Sequence, residues 1–188
     1  MTRLKAAVFA SGTGSNFEAI MDTDNLACDI VLLVCDKPGA KVIEKAEKFG
    51  VASFVFHPKD YPSKAAYEKS IVEALKAAGI SWIFLAGYMR IAGPVLLQAF
   101  ENKIVNIHPS LLPAFPGKDA IGQAFRARVK ITGVTVHFID EGIDTGPIIA
   151  QEPVEVFPDD TEKELKKRIQ NVEHQLYPEV INQLLQPK

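Results

Sequence analysis

Cysteine is scarce: Cys28 and Cys35 are the only two in 188 residues. Two cannot build a disulfide framework, and with no His or Cys beside them at ligand spacing they do not point to zinc, so both read as core residues. An excess of one charge is also lacking, with 21 Lys+Arg against 23 Asp+Glu and a net charge of -2. That balance gives no global electrostatic reason to expect nucleic acid or an acidic membrane as partner. No apolar run approaches the roughly 18 residues that span a bilayer. The apolar segment after Met1-Thr2-Arg3-Leu4-Lys5 is too short for a signal h-region and no small-residue cleavage site follows it, so the expected compartment is the cytoplasm. Repeats and low-complexity tracts are missing too. What remains is ordinary for a globular chain: 47% apolar, 23% charged, a mean hydropathy of +0.06. At this length folding buries about 70% of the unfolded surface, enough for one α/β domain.

Short β-branched apolar runs alternate with longer segments of helical period, the pattern of a mostly parallel, twisted sheet with helices on both faces. The candidate strands are 4–10, 30–35, 53–56, 82–86, 104–107, 134–139 and 148–156. Candidate helices open near Asn16, at Lys41, after the cap Ser63, at Pro94, at Ala120 and after Thr161. Pro153 inside the last run argues for a strand at the sheet edge, read as antiparallel. Thr161 and Glu164 stand in capping-box spacing, and Leu165, Ile169, Val172 and Leu176 form an apolar stripe until Pro178 kinks the helix.

Three segments carry chemistry. Ser11-Gly12-Thr13-Gly14-Ser15-Asn16 lies between a buried strand and a helix, where a glycine turn lets backbone N–H groups approach an anion. A phosphate site competes here with a simple tight turn. The segment lacks the Lys-Ser/Thr pair of a Walker A loop, and Phe17 takes the place of the third glycine of the dinucleotide fingerprint, although Asp36 lies about where a ribose-binding acid would stand. Asn106-Ile107-His108 puts an amide and an imidazole two apart on a strand, facing one space at its carboxyl end, where open α/β sheets bind ligands. A histidine tied to a backbone carbonyl in the core is the plainer alternative.

Asp140-Glu141-Gly142-Ile143-Asp144-Thr145-Gly146-Pro147 is an acidic turn. It either closes local Asx turns or sets a carboxylate beside His108, fixing the tautomer and favouring the charged form. His137 reads as structural, and His57 and His174 get no role from spacing alone. Met89-Arg90-Ile91-Ala92, after a buried strand, could recognise a flat polar ring or simply form a loop. Lys166-Lys167-Arg168 is most simply a solvated helix face.

Together these segments, with Ala86-Gly87-Tyr88, Pro109-Ser110-Leu111-Leu112-Pro113, Gly133-Val134-Thr135-Val136-His137 and Glu173-His174-Gln175-Leu176-Tyr177-Pro178, resemble the phosphoribosylglycinamide formyltransferases, folate-dependent enzymes of purine synthesis. The resemblance covers essentially the whole chain. It implies a Rossmann-like formyltransferase fold over residues 1–188, with a ribonucleotide half at 1–100 and a formyl-folate and catalytic half at 101–188. It further implies that the phosphate of glycinamide ribonucleotide lies on Gly14, Ser15 and Asn16, with Gln170 and Glu173 near its sugar and glycinamide parts. The co-substrate would be 10-formyltetrahydrofolate, its pterin between Met89, Arg90, Ile91, Ala92 and the turn Asp140, Glu141, Gly142, Ile143 and Asp144, with Leu97 as an apolar wall. Asn106, also counted among the folate contacts, His108 and Asp144 would form the catalytic group. Lys64 stands where some members carry arginine near the folate tail, so a point charge replaces a bidentate fork. Lys118-Asp119-Ala120-Ile121-Gly122 differs from a His-containing version in some relatives.

The implied chemistry needs no metal. A neutral amine attacks the formyl carbon, Asn106 and a protonated His108 donate to the developing oxyanion, and Asp144 keeps His108 charged and helps pass the proton to the leaving folate nitrogen. The expected partners are small molecules, neither nucleic acid nor membrane, and a homodimer is compatible with the sequence. Competing readings are a formyl-folate deformylase, a methionyl-tRNA formyltransferase, and a nucleotide-binding oxidoreductase resting on Gly12, Gly14 and Asp36.

Overall fold

Ala6, Ala7, Val8 and Phe9 are all fully buried, yet alternate residues belong to different cores, Ala6 and Val8 to one and Ala7 and Phe9 to the other. A strand that alternates between two dry faces must be covered on both, which is why residues 6–9 are all apolar. A computed structural model describes residues 3–186 and shows this arrangement across the chain. In chain order the elements are β1 (Leu4–Phe9), α1 (Ser15–Met21), β2 (Cys28–Cys35), α2 (Lys41–Lys48), β3 (Ala52–Val55), a 3-10 turn (Pro58–Asp60), α3 (Lys64–Ala77), β4 (Trp82–Leu85), α4 (Pro94–Ala99), β5 (Ile104–His108), α5 (Ala120–Ala127), β6 (Ile131–Phe138), β7 (Ile148–Glu155) and α6 (Glu162–Leu185).

The seven strands form one sheet in the order β3-β2-β1-β4-β5-β6-β7. β1 to β5 run parallel, β6 is antiparallel to β5, and β7 is antiparallel to β6. The expected mostly parallel sheet with an antiparallel edge strand is what the chain forms. Pro153 sits on β7 opposite Gly133, an edge position where a missing N–H costs no inner ladder bond. Chain order reverses direction across the sheet between β1 and β4, which opens a crevice at the carboxyl ends of these strands.

One core lies under α1, α2 and α6 and includes Phe17, Leu33, Phe84, Val105, Ile169 and Tyr177. The other lies under α3 and α4 and includes Ile71, Leu75, Ile83, Leu96 and Ile104. Fully buried Tyr177 donates its hydroxyl to the carbonyls of Leu85 (2.8 Å) and Val105 (3.1 Å), tying α6 to the ends of two central strands. Pro178 does not end this helix. α6 runs on to Leu185, because Tyr177, Val180 and Ile181 flank the proline in the core and Asn182 accepts a bond from Ala27 N (2.7 Å). Burial beyond the proline outweighs the single helix bond it removes. Thr161 and Glu164 form the expected capping box at the other end. Among the described residues, no helix is long and apolar enough to cross a membrane.

Candidate active site

On β5 the sequence of contacts changes along one face. Ile104 packs in the second core, but Asn106 and His108, two and four residues on, meet polar groups of β6 instead. Asn106 lies opposite His137 and His108 opposite Thr135. Two loops cover this patch. Leu112 N donates to Thr135 Oγ1 (3.0 Å), and Thr135 in turn donates to Ser110 O (2.7 Å), which fixes the loop after β5. Asp144, at a left-handed φ of 55° in the loop after β6, accepts from Gly117 N (2.7 Å) and joins the two loops.

The carboxylate of Asp144 lies between the two imidazoles, 3.5 Å from His108 Nδ1 and 3.8 Å from His137 Nε2. His108 Nε2 is 2.9 Å from the carbonyl of Phe115, which can only accept, so this nitrogen carries a hydrogen. The same argument applies to His137, whose Nδ1 meets the Phe138 carbonyl at 2.8 Å. Its Nε2 is then free to accept from Asn106 Nδ2 at 3.3 Å. Burial pushes the His137 pKa down, which favours the neutral ring this arrangement needs. One hydrogen of the Asn106 amide is thereby used and the second remains available.

Asn106, His108 and Asp144 line a cleft of about 900 Å3 that continues to the start of α1. Gly12, Thr13, Gly14, Ser15 and Asn16 form that end, faced by Gln170, Glu173 and Lys166 of α6. Gly14 has a φ of 74°, and a Cβ there would lie 2.5 Å from Val42 Cγ2, so α1 and α2 approach too closely for any side chain. Glu173 is buried, and burial pushes its pKa up to about 7 against the opposing pull of an Asn16 hydrogen bond and of Lys166. Asn16 Oδ1 is buried with no protein partner.

Residues 4–181 match the formyl transferase family model. The chain belongs to that family. It is 59% identical over 184 residues to phosphoribosylglycinamide formyltransferase of Bacillus subtilis, covering 96% of this chain and 94% of that protein. It is 40% identical over 188 residues to the trifunctional purine biosynthetic protein adenosine-3 of Drosophila melanogaster, of which it spans 14%. A crystal structure of glycinamide ribonucleotide transformylase 1 from Geobacillus kaustophilus superposes with a TM-score of 0.96 at 60% identity, covering 98% of this chain and all of that one.

In this formyl transferase chain the cleft draws on both halves of the sequence, since Gly14 and Met89 come from the first and Asp144 and Glu173 from the second. Met89, Arg90, Ile91 and Ala92 line it, as do Asp140, Gly142 and Ile143. Asp140 closes a local turn, accepting from Gly142 N (2.9 Å) and Thr145 Oγ1 (2.6 Å), and those bonds hold its pKa down. Glu141, Lys64 and Leu97 are not among the lining residues: Glu141 and Lys64 are exposed and Leu97 packs against the second core. Asp36, weighed as a ribose acid, has both oxygens engaged by Ser11 and Arg90. His137, read as structural, belongs to the cluster; its place opposite Asn106 follows only from pairing β5 with β6. Lys118 and Glu162 line the cleft as well, and so does Lys166, of the run read as a solvated helix face; for Glu162 the sequence carried no signal.

Proposed function

We propose that the chain transfers the formyl group of 10-formyltetrahydrofolate to the primary amine of glycinamide ribonucleotide. The convergence of Asn106, His108 and Asp144 in one cleft with the Gly14 turn and Glu173 carries this reading. The phosphate lies on Gly14, Ser15 and Asn16, where first-turn N–H groups lack helix partners. Gln170 and Glu173 take the sugar and glycinamide parts. The pterin lies between 89–92 and 140–144, and exposed Lys64 attracts the glutamate tail from outside the cleft.

The amine nitrogen attacks the formyl carbon and a C–N bond forms. The carbonyl oxygen becomes an oxyanion, to which the free hydrogen of the Asn106 amide donates. His108, 3.5 Å from the Asp144 carboxylate, assists through its Nε2–H; because that hydrogen is given to Phe115 O, the bond exchanges when the oxyanion takes it. The bond to the folate nitrogen then breaks, and the amine proton passes through Asp144 and water to that nitrogen. His137 is a positioning residue that orients the Asn106 amide.

The test is an absorbance assay of tetrahydrofolate formation from 10-formyltetrahydrofolate with three acceptors: the ribonucleotide, water alone, and methionyl-tRNA. Turnover only with the ribonucleotide is expected, and inorganic phosphate should compete with it. Turnover with water alone would make the chain a hydrolase, and turnover with the tRNA would move the acceptor to a nucleic acid.

A further inference from the structure

Two buried carboxylates outside the cleft hold one segment of its wall. Residues 86–93 connect β4 to α4, and Tyr88 through Ala92 all line the cleft, whereas Asp36 and Glu68 do not. Asp36 follows β2, two strands away from β4, and is 6% exposed. One of its oxygens accepts from Ser11 Oγ, which itself accepts from Met89 N (2.9 Å). The other accepts from Arg90 Nε (2.9 Å). Glu68, on α3 and 2% exposed, accepts from Gly93 N (2.7 Å). Its second oxygen is buried without a protein partner and sits 2.6 Å from where a Gly93 Cβ would be. Ser11 N also donates to Gly87 O (3.1 Å). The segment is thus fixed at residues 87, 89, 90 and 93, and its apolar side chains Met89 and Ile91 stand out at 66% and 52% exposed.

Burying a carboxylate costs free energy unless its oxygens are used. Two of the four oxygens here bond a single eight-residue connection directly, and a third reaches it through Ser11. A general core brace would spread its bonds over the fold. We propose that Asp36, acting through Ser11, and Glu68 are positioning residues for the formyl donor: they hold the backbone of 88–92 in the shape that receives the pterin. This rests on the functional reading above and adds to it which residues outside the site set affinity for one of the two substrates. The physical basis is preorganisation. A segment already ordered loses little freedom on binding, whereas a loosened one must be ordered by the ligand, which weakens affinity about tenfold for one or two residues.

The experiment measures steady-state kinetics of the full chain with each substrate varied in turn, for wild type, Asp36→Asn, Ser11→Ala, Glu68→Ala and Glu68→Gln. Calorimetric binding of tetrahydrofolate and of inorganic phosphate accompanies it. For Asp36→Asn, Ser11→Ala and Glu68→Ala the KM for 10-formyltetrahydrofolate should rise about tenfold, with tetrahydrofolate binding weakened to match. The KM for the ribonucleotide and phosphate binding should stay within about twofold. Glu68→Gln keeps an acceptor for Gly93 N and should restore most of the loss. Equal changes in both KM values, or no change in variants that melt as wild type does, would overturn the inference while leaving the function standing. An inactive wild type overturns the function and this inference with it. Should Asp36→Asn fail to fold, Ser11→Ala, which keeps the Asp36 to Arg90 pair, carries the same test.

Discussion

At one end of the cleft Asn106, His108 and Asp144 each have protein partners, whereas at the other Asn16 Oδ1 is buried with none and burial pushes the Glu173 pKa up to about 7. The first end needs no ligand to order it. Its donors Asn106 and His108 are oriented by His137 and Phe115, and Gly117 N holds Asp144 beside them; the second Asn106 amide hydrogen meets developing charge as it stands, and His108 does so by exchanging its bond to Phe115 O. At the second end one buried acceptor, Asn16 Oδ1, has no protein partner. A buried acceptor without a partner costs about 1–3 kcal/mol, which a ligand with donors recovers. The difference separates chemistry from binding: the β5–β6 end is built to act on a transition state and the α1–α6 end to gain from a ground-state ligand.

Asn106→Ala and His108→Ala should therefore give the largest effects and show them in kcat. A fall of about 100- to 1,000-fold is expected, as for other lost oxyanion donors, with the KM of either substrate changed only a few-fold. Asp144→Asn should also lower kcat by about 100-fold, since it removes the carboxylate that relays the amine proton. Steady-state kinetics of the three variants decides it. A loss confined to KM would put these residues in the ground state and erase the contrast between the two ends.

How far this contrast could be read in the sequence depends on the range of each interaction. The period-two spacing of Asn106 and His108, the glycine turn before α1 and the box of Thr161 and Glu164 are local, and each is where its pattern placed it. The contact of Asp144 with His108 spans two loops, and the sequence could only offer it beside an Asx turn; Asp140 took the turn and Asp144 the contact. His137 and Glu68 were opaque for the same reason. Their partners lie on another strand and another loop, and no spacing in the chain encodes which strand neighbours which. At Pro178 a local rule meets a tertiary one: the core on both sides of it keeps the helix going.

The second prediction concerns the α1–α6 end. Glu173 has a pKa of about 7 in the fold against 4.5 ordinarily. Below about pH 4.5 both folded and unfolded chains hold the proton, so this group adds no difference. As pH rises from there, the unfolded chain releases its proton first, and stability falls until the folded group ionises near pH 7. The full shift amounts to roughly 3 kcal/mol as an upper bound. Glu173→Gln should remove that loss, leaving Tm at pH 5 nearly unchanged and raising it at pH 8, while the KM for the ribonucleotide increases. A variant whose Tm tracks the wild type at both pH values would show that burial of Glu173 is not costly.

Gly14→Ala tests the same end through the backbone. The new Cβ meets Val42 at a φ of 74°, so about 1–3 kcal/mol of stability should be lost. The damage to function should fall on the ribonucleotide KM, with kcat at saturation close to normal. Equilibrium unfolding and the two KM values together measure it. A drop in kcat as large as that of Asn106→Ala would mean that the two ends are mechanically coupled.

The smallest effect is expected from Thr161→Ala, which sharpens the comparison by loosening α6 without touching a proposed contact. The Thr161 hydroxyl accepts from Glu164 N at 3.2 Å, and the Glu164 carboxylate accepts from Thr161 N at 2.8 Å. Losing such a cap costs about 1 kcal/mol. The first turn that frays carries Glu162, which lines the cleft, but Gln170 and Glu173 lie two turns and more beyond it, and Tyr177 holds the helix to β4 and β5. Unfolding in urea should show the loss, while both KM values and kcat stay within about twofold. If the ribonucleotide KM rises instead, the first turn of α6 belongs to the binding end, and the boundary between scaffold and site must be drawn four residues earlier than Lys166.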